Sequence, residues 1–73
     1  MEFKGRITEI TDLQSGYYVN YKTNDGRPYG FTLDKNELRG SFSEACVGKK
    51  VTVETDGNEV KQVKLGWKTI LKR

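Results

Sequence analysis

Gly16-Tyr17-Tyr18-Val19-Asn20-Tyr21-Lys22-Thr23, then Asn24-Asp25-Gly26, then Pro28-Tyr29-Gly30-Phe31-Thr32-Leu33 is the stretch that decides the fold. Two runs rich in aromatic and β-branched residues flank an Asp-Gly pair, which readily supplies the positive φ of a tight turn between antiparallel strands. The reading is a β-hairpin. Side chains alternate across a strand, so Tyr17, Val19 and Tyr21 share one face and Tyr18, Asn20 and Lys22 the other. The apolar set belongs inside. In the second arm Tyr29, Phe31 and Leu33 continue that set, while Gly30 and Thr32 face out. Pro28 has no amide donor and stands at the strand start, where the loss is tolerated. All four tyrosines of the chain lie in this hairpin, and a slip of one residue in its register would exchange Tyr17 and Tyr18 between faces.

Toward the N-terminus, residues 3–10 read as the first strand. Phe3 and Ile7 share a parity that Ile10 breaks, which predicts a bulge or strong bend between Ile7 and Ile10, with Gly5 allowing the backbone to coil. Residues 11–15 are a connection. Beyond the hairpin, Asp34-Lys35-Asn36-Glu37-Leu38 has the spacing of a capping box and predicts one short helical turn. Residues 39–47 read as a loop anchored on the core by Phe42, Ala45 and Val47. Residues 50–55 alternate cleanly, with Val51 and Val53 inward, and Asp56-Gly57 marks a second hairpin turn. In the fifth strand, residues 59–65, Val60 is out of phase with Val63 and Leu65, which predicts another bulge. Residues 66–73 fit a sixth strand, a short helix or a frayed tail; Trp67 is expected to close the bottom of the fold.

Seventy-three residues make one domain, 1–73, near the lower size limit for a core without staples, with 66–73 as a C-terminal extension. The expected fold is all-β: a small five-stranded OB-type (oligonucleotide-binding) Greek-key barrel with a short helical turn after the third strand. An SH3-like barrel is the main rival; the long connection between the third and fourth strands favours the OB arrangement. One cysteine and no histidine leave no internal disulfide and no zinc site of the usual Cys/His kind. Cys46, between Ala45 and Val47, reads as a small buried hydrophobe. No general base, phosphate-cradling loop or metal-ligand cluster stands out, so the expectation is a protein that is not an enzyme and uses no cofactor. No apolar run approaches the roughly 20 residues that span a bilayer, so no membrane partner is expected. The expected setting is cytoplasmic, with the chain complete. A formal net charge of +3 biases the protein mildly toward anionic partners.

The order of elements and turns resembles that of a divergent cold-shock domain over roughly residues 3–65. Gly5-Arg6-Ile7-Thr8-Glu9-Ile10 occupies the place of that family's Gly-Lys-Val-Lys-Trp-Phe, and Ser15-Gly16-Tyr17-Tyr18-Val19 that of its Lys-Gly-Phe-Gly-Phe. Tyr29-Gly30-Phe31-Thr32-Leu33 sits where the family has Val-Phe-Val-His-Phe. Gly40-Ser41-Phe42 with Gly48-Lys49-Lys50-Val51 resembles the approach to its fourth strand. The resemblance implies an OB fold that binds single-stranded RNA or DNA. It also marks departures: Glu9, Gly30 and Thr32 stand where the family carries its exposed stacking residues, each stacked base being worth about 1 to 3 kcal/mol.

The candidate nucleic-acid-binding residues are therefore Tyr18, Asn20, Lys22, Arg6, Thr8, Thr32, Phe42 and Arg27. Tyr18 is the stacking candidate, with Asn20 and Lys22 on its face for a base edge and a phosphate; its structural alternative is cross-strand packing with Thr8 or Thr32. Phe42 matches a family aromatic that folds over the bound strand, or else plugs the barrel end. Arg6, Lys22 and Arg27, with Lys4 and Arg39, would form a phosphate-contacting rim, or simply face water. A second basic set, Lys61, Lys64, Lys68, Lys72 and Arg73, surrounds Trp67 and Ile70. Two functions follow: a weak, salt-dependent single-strand-binding module of low sequence specificity, or a protein-interaction or homodimerising module that has lost its nucleic-acid platform.

Overall fold

The computed structural model describes residues 1–73. Its antiparallel strands are β1 (Glu2–Asp12), β2 (Gly16–Thr23), β3 (Pro28–Asp34), β4 (Lys50–Asp56), β5 (Glu59–Leu65) and β6 (Lys68–Lys72), in one sheet of order β3-β2-β1-β4-β5-β6. The all-β class expected from the alternation is present, with six strands rather than five. No helix is long and apolar enough to cross a membrane.

β1 is the spine. Gly5 to Asp12 pair with β2, and Glu2 to Arg6 pair with β4. Between Ile7 and Glu9 the ladder shifts, leaving Thr8 as the extra residue of a bulge. That bulge resolves the parity conflict in the sequence, because it turns both Ile7 and Ile10 inward, where each is buried. The second expected bulge is also present: Gln62 pairs with Glu54 and Val60 with Thr55, so Lys61 is extra. A third shift, between Val63 and Lys64, lets two consecutive residues of β6, Ile70 and Leu71, both point into the core.

The coiled sheet folds over itself around one apolar cluster. β1, β2 and β3 contribute Ile7, Val19, Tyr21, Phe31 and Leu33, and the other half contributes Val51, Val53, Val63, Ile70 and Leu71. The barrel is not closed, since β3 and β6, the two edge strands, do not pair with each other. Arg73 spans the gap instead. Its Nη2 donates to the Thr32 carbonyl (3.4 Å), Nη1 to the Val60 carbonyl (3.1 Å) and Nε to Glu37 Oε2 (2.8 Å). The Arg39 amide donates to the Ile70 carbonyl at 2.8 Å.

Three local expectations are corrected. Asp34 does not cap a helix: its carboxylate accepts from the Asn36 amide (2.9 Å) and its carbonyl from the Glu37 amide (2.9 Å), a single turn without a helix. Glu37 is drawn away to Arg73 instead of reaching back to Asp34. The short helical turn lies later, at Glu44–Cys46, and is of the 3-10 type. It points Cys46 inward and leaves Ala45 and Val47 exposed, so Cys46, not its neighbours, anchors this loop together with the half-buried Phe42 and Leu38. Trp67 does not close the fold. It is 92 % exposed, because Gly66 and Trp67 form the two-residue turn between β5 and β6, and the residues of this segment that enter the core are Ile70 and Leu71.

Three carboxylates at strand ends and turns contribute to the response to acid. Asp12 is held below its ordinary 3.8, first by the Gln14 amide and then by Lys35. Asp25 is held below 3.8 by the Thr23 hydroxyl and then by Arg27, and Glu59 below 4.5 by Lys61. A carboxyl whose folded pKa is depressed stabilises the fold above its unfolded pKa, and that contribution disappears as pH falls through the folded value. Burial raises the Tyr21 phenol above 10.0, so its contribution is complete below that pH and fades above it. Urea midpoints are therefore expected to be flat between pH 6 and 9, and to drop below the carboxylates' ordinary values of 3.8 to 4.5 and above the phenol's 10.0. A midpoint at pH 3 equal to that at pH 6 would contradict this assignment.

Candidate nucleic-acid interface

The outward face of β1, β2 and β3 carries most of the expected site. Register fixes which residues meet there: Tyr18 lies opposite Thr11 and Thr32, Asn20 opposite Glu9 and Gly30, and Lys22 opposite Arg6 and Pro28. Because Val19 and Tyr21 are buried, the parity read from the sequence holds, and Tyr18 rather than Tyr17 faces out. Tyr17 turns inward against Phe42, the ring centroids 5.1 Å apart in an edge-to-face arrangement, with the Lys35 ammonium 4.9 Å from the Tyr17 centroid.

Tyr18 does not stand upright. A Cβ built on Gly30 would come within 2.5 Å of the Tyr18 hydroxyl oxygen and 2.9 Å of its Cζ, so the ring leans across the sheet over the bare glycine backbone. Aromatic cover of a strand glycine is a known way to fill such a gap. Tyr18 remains 39 % exposed. Gly30 is thus the bed on which the Tyr18 ring lies.

Asn20 and Thr8 are held from below. Asn20 Nδ2 donates to Glu9 Oε1 at 3.2 Å, and Thr8 Oγ1 donates to the Asn20 carbonyl at 3.2 Å. These residues, with Tyr18, Lys22 and Gly30, border a shallow open depression of about 740 Å3. Glu9 adds a carboxylate to its lining, which opposes an anion there, whereas Lys22 on the same lining favours one. The Lys22 charge is uncompensated. Lys22 and Arg6 make no ion pair with any carboxylate, unlike Lys4, Arg27, Lys35, Lys61 and Arg73. Arg6 spends one donor on the Gly48 carbonyl at 3.1 Å and keeps the rest of its guanidinium free.

Three expected site residues are placed elsewhere or engaged. Arg27 is tied to Asp25 through Nε and Nη2, each at 2.9 Å, and Asp25 also accepts from the Thr23 hydroxyl, so this arginine braces its turn. Phe42 is packed beneath the sheet against Tyr17 and the core, away from the Tyr18 face. Thr32 does lie beside Tyr18 on the outer face, but its carbonyl serves Arg73 at the edge. Sequence reasoning missed Lys50, which the register places directly beside Arg6 on the same face. Only the pairing of β1 with β4, distant in sequence, brings it there. No group of three or more His, Cys, Asp or Glu side chains converges anywhere in the fold. No family model, curated protein or solved structure matches the chain.

Proposed function

We propose that this protein is a divergent OB-type module, similar to a cold-shock domain, that binds single-stranded RNA or DNA weakly, with strong salt dependence and little base specificity. The observation that carries the reading is the convergence of an exposed ring, Tyr18, with Asn20 and with two cations that have no carboxylate partner, Lys22 and Arg6, on one open face. A flat aromatic next to unpaired positive charge is the pattern that accepts a base by stacking and its phosphate by attraction. No catalytic step and no cofactor enter the reading, and its setting is the cytoplasm.

Titration of a fluorescein-labelled dT8 or U8 at 20 mM and at 200 mM salt tests it by anisotropy. Saturable binding is expected at the lower salt, falling steeply at the higher. Tyr18→Ala is expected to weaken it about 5-fold or more, the low end of the loss of one stacked base. Glu9→Gln keeps the hydrogen bond to Asn20 but removes the opposing charge, and is expected to tighten binding about 2-fold. Absence of binding to either oligonucleotide at low salt would overturn the proposal. The second reading is a protein-interaction or homodimerising module, favoured by Glu9, whose carboxylate lies in the depression where a phosphate would otherwise sit. Under it, light scattering shows a dimer, or oligonucleotide binding is absent and Tyr18→Ala changes nothing.

A further inference from the structure

The exposed tryptophan is not isolated. Gly66, with φ of 62°, and Trp67 are the two central residues of the β5–β6 turn, which is closed on both sides by the Leu65 to Lys68 pair. A positive φ at the first central position only is a turn that matches the twist of its strands, so the indole is carried on a short, well-defined support. It stands beside Lys49, Lys50 and Lys68 in a groove of about 480 Å3. None of these three lysines pairs with a carboxylate. Lys68 lies over the backbone of Gly40, where a Cβ would meet its Nζ at 2.7 Å.

Register joins this groove to the Tyr18 face. Lys22 on β2 is directly opposite Arg6 on β1, Arg6 is directly opposite Lys50 on β4, and the Gly66 amide donates to the Lys50 carbonyl at 3.2 Å. Val51, Tyr21 and Ile7, the adjacent residues, are buried, so all three cations point outward on one face. The result is a row across three neighbouring strands, one cation per strand, ending at Gly66-Trp67. At about 4.8 Å per strand, the three steps from Lys22 to Gly66 cover about 14 Å.

We propose that a single strand of nucleic acid crosses the sheet at right angles to its strands, its phosphates along Lys50, Arg6 and Lys22 and one base stacked on Trp67, and then turns along β2 to stack another base on Tyr18, four residues and about 13 Å from Lys22. The inference rests on the single-strand-binding reading above and adds to it a second stacking site, a path and a footprint of about four nucleotides, at the small end for an OB-sized domain. Cations one strand apart, with the exposed Trp67 ring at one end and the Tyr18 ring further along β2 beyond the other, suit a polymer that repeats both a charge and a base. An acidic polypeptide would use the cations and leave both rings idle.

Trp67 is the only tryptophan of the chain, so its fluorescence reports on this site alone. Unlabelled dT8 is expected to quench it saturably, with the same midpoint as the anisotropy of labelled dT8. Trp67→Ala is expected to weaken the anisotropy-detected binding about 5-fold or more, and Trp67→Phe to restore most of it. Lys50→Ser is expected to lower the slope of log affinity against log salt by about one. If labelled dT8 binds but the fluorescence does not change and Trp67→Ala binds as the parent does, the path ends at the Tyr18 depression and the inference falls while the binding reading stands. If labelled dT8 does not bind at all, both fall. Equal quenching by an octaglutamate peptide would overturn nucleic acid as the occupant.

Discussion

Gly5→Ala is expected to cost about 3 kcal/mol of stability or more, in the upper range for overpacking, and to lower the melting temperature by roughly 15 °C, given about 4 to 8 °C per kcal/mol for a domain of this size. The reason is the close approach of β1 to β2. A Cβ on Gly5 would sit 2.0 Å from the Lys22 carbonyl oxygen, 2.7 Å from its carbon and 2.8 Å from Thr23 Cα. All three are backbone atoms of the paired strand, so no rotamer change can make room. Gly5 is also paired on its other side with Val51, and moving β1 away from β2 presses it on β4. Gly30→Ala is the control. The atoms nearest its Cβ would be the far end of the Tyr18 ring and the Asn20 side chain, both side-chain ends on the outer face rather than backbone. Thermal melts of the two variants separate the cases; a Gly5→Ala protein within 5 °C of the parent would mean that the strands are not held this tightly.

Leu71→Ala is expected to destabilise the fold by about 2 to 5 kcal/mol, the range for truncating a buried leucine. Leu71 is fully buried, lies opposite Val63 and stands two residues before Arg73, which bridges the open edge of the sheet. In a chain of 73 residues, whose total stability is of order 4 to 11 kcal/mol, that loss leaves little margin. Trp67→Ala is expected to change stability by less than about 0.5 kcal/mol, as for other exposed substitutions. The contrast is sharp because the larger residue is four positions away on the same strand and turn. Urea unfolding of both variants checks it. A large loss in Trp67→Ala with none in Leu71→Ala would place the tryptophan in the core and reverse the assignment of the C-terminal segment.

The central hairpin was legible because strict alternation over Tyr17 to Lys22 and Tyr29 to Leu33 leaves one choice of buried face. Where alternation breaks, as at Ile7 and Ile10 or at Val60, the break itself announced a bulge. The last segment was not legible by the same means. Thr69-Ile70-Leu71 has two adjacent apolar residues, which neither strand nor helix periodicity explains, and a bulge that buries both is visible only once β6 is paired with β5. Its turn was the missed signal, since a Gly-X pair between two β-prone runs is a two-residue hairpin loop. Composition misled as well: large apolar residues are scarce here, and scarcity argued for placing the tryptophan inside.

The candidate site divides in the same way. Parity alone put Tyr18, Asn20 and Lys22 on one face, and it named Gly30 and Thr32 as their neighbours. It could not say that Tyr18 lies down on Gly30, that Asp25 already holds Arg27, or that Phe42 goes beneath the sheet with Tyr17. Those are contacts between residues brought together by strand register and loop path, and single-strand alternation carries no information about either. What the sequence by itself determined is which side of each regular strand is wet, because burial of one face imposes a period of two on the chain. Which wet residues become neighbours, Lys50 beside Arg6 and Trp67 at the end of their row, was decided by the pairing of β1 with β4 across some forty residues of chain, together with that of β4 with β5. The first of these pairings is fixed by the shared core and by the length of the connection, neither of which leaves a local mark.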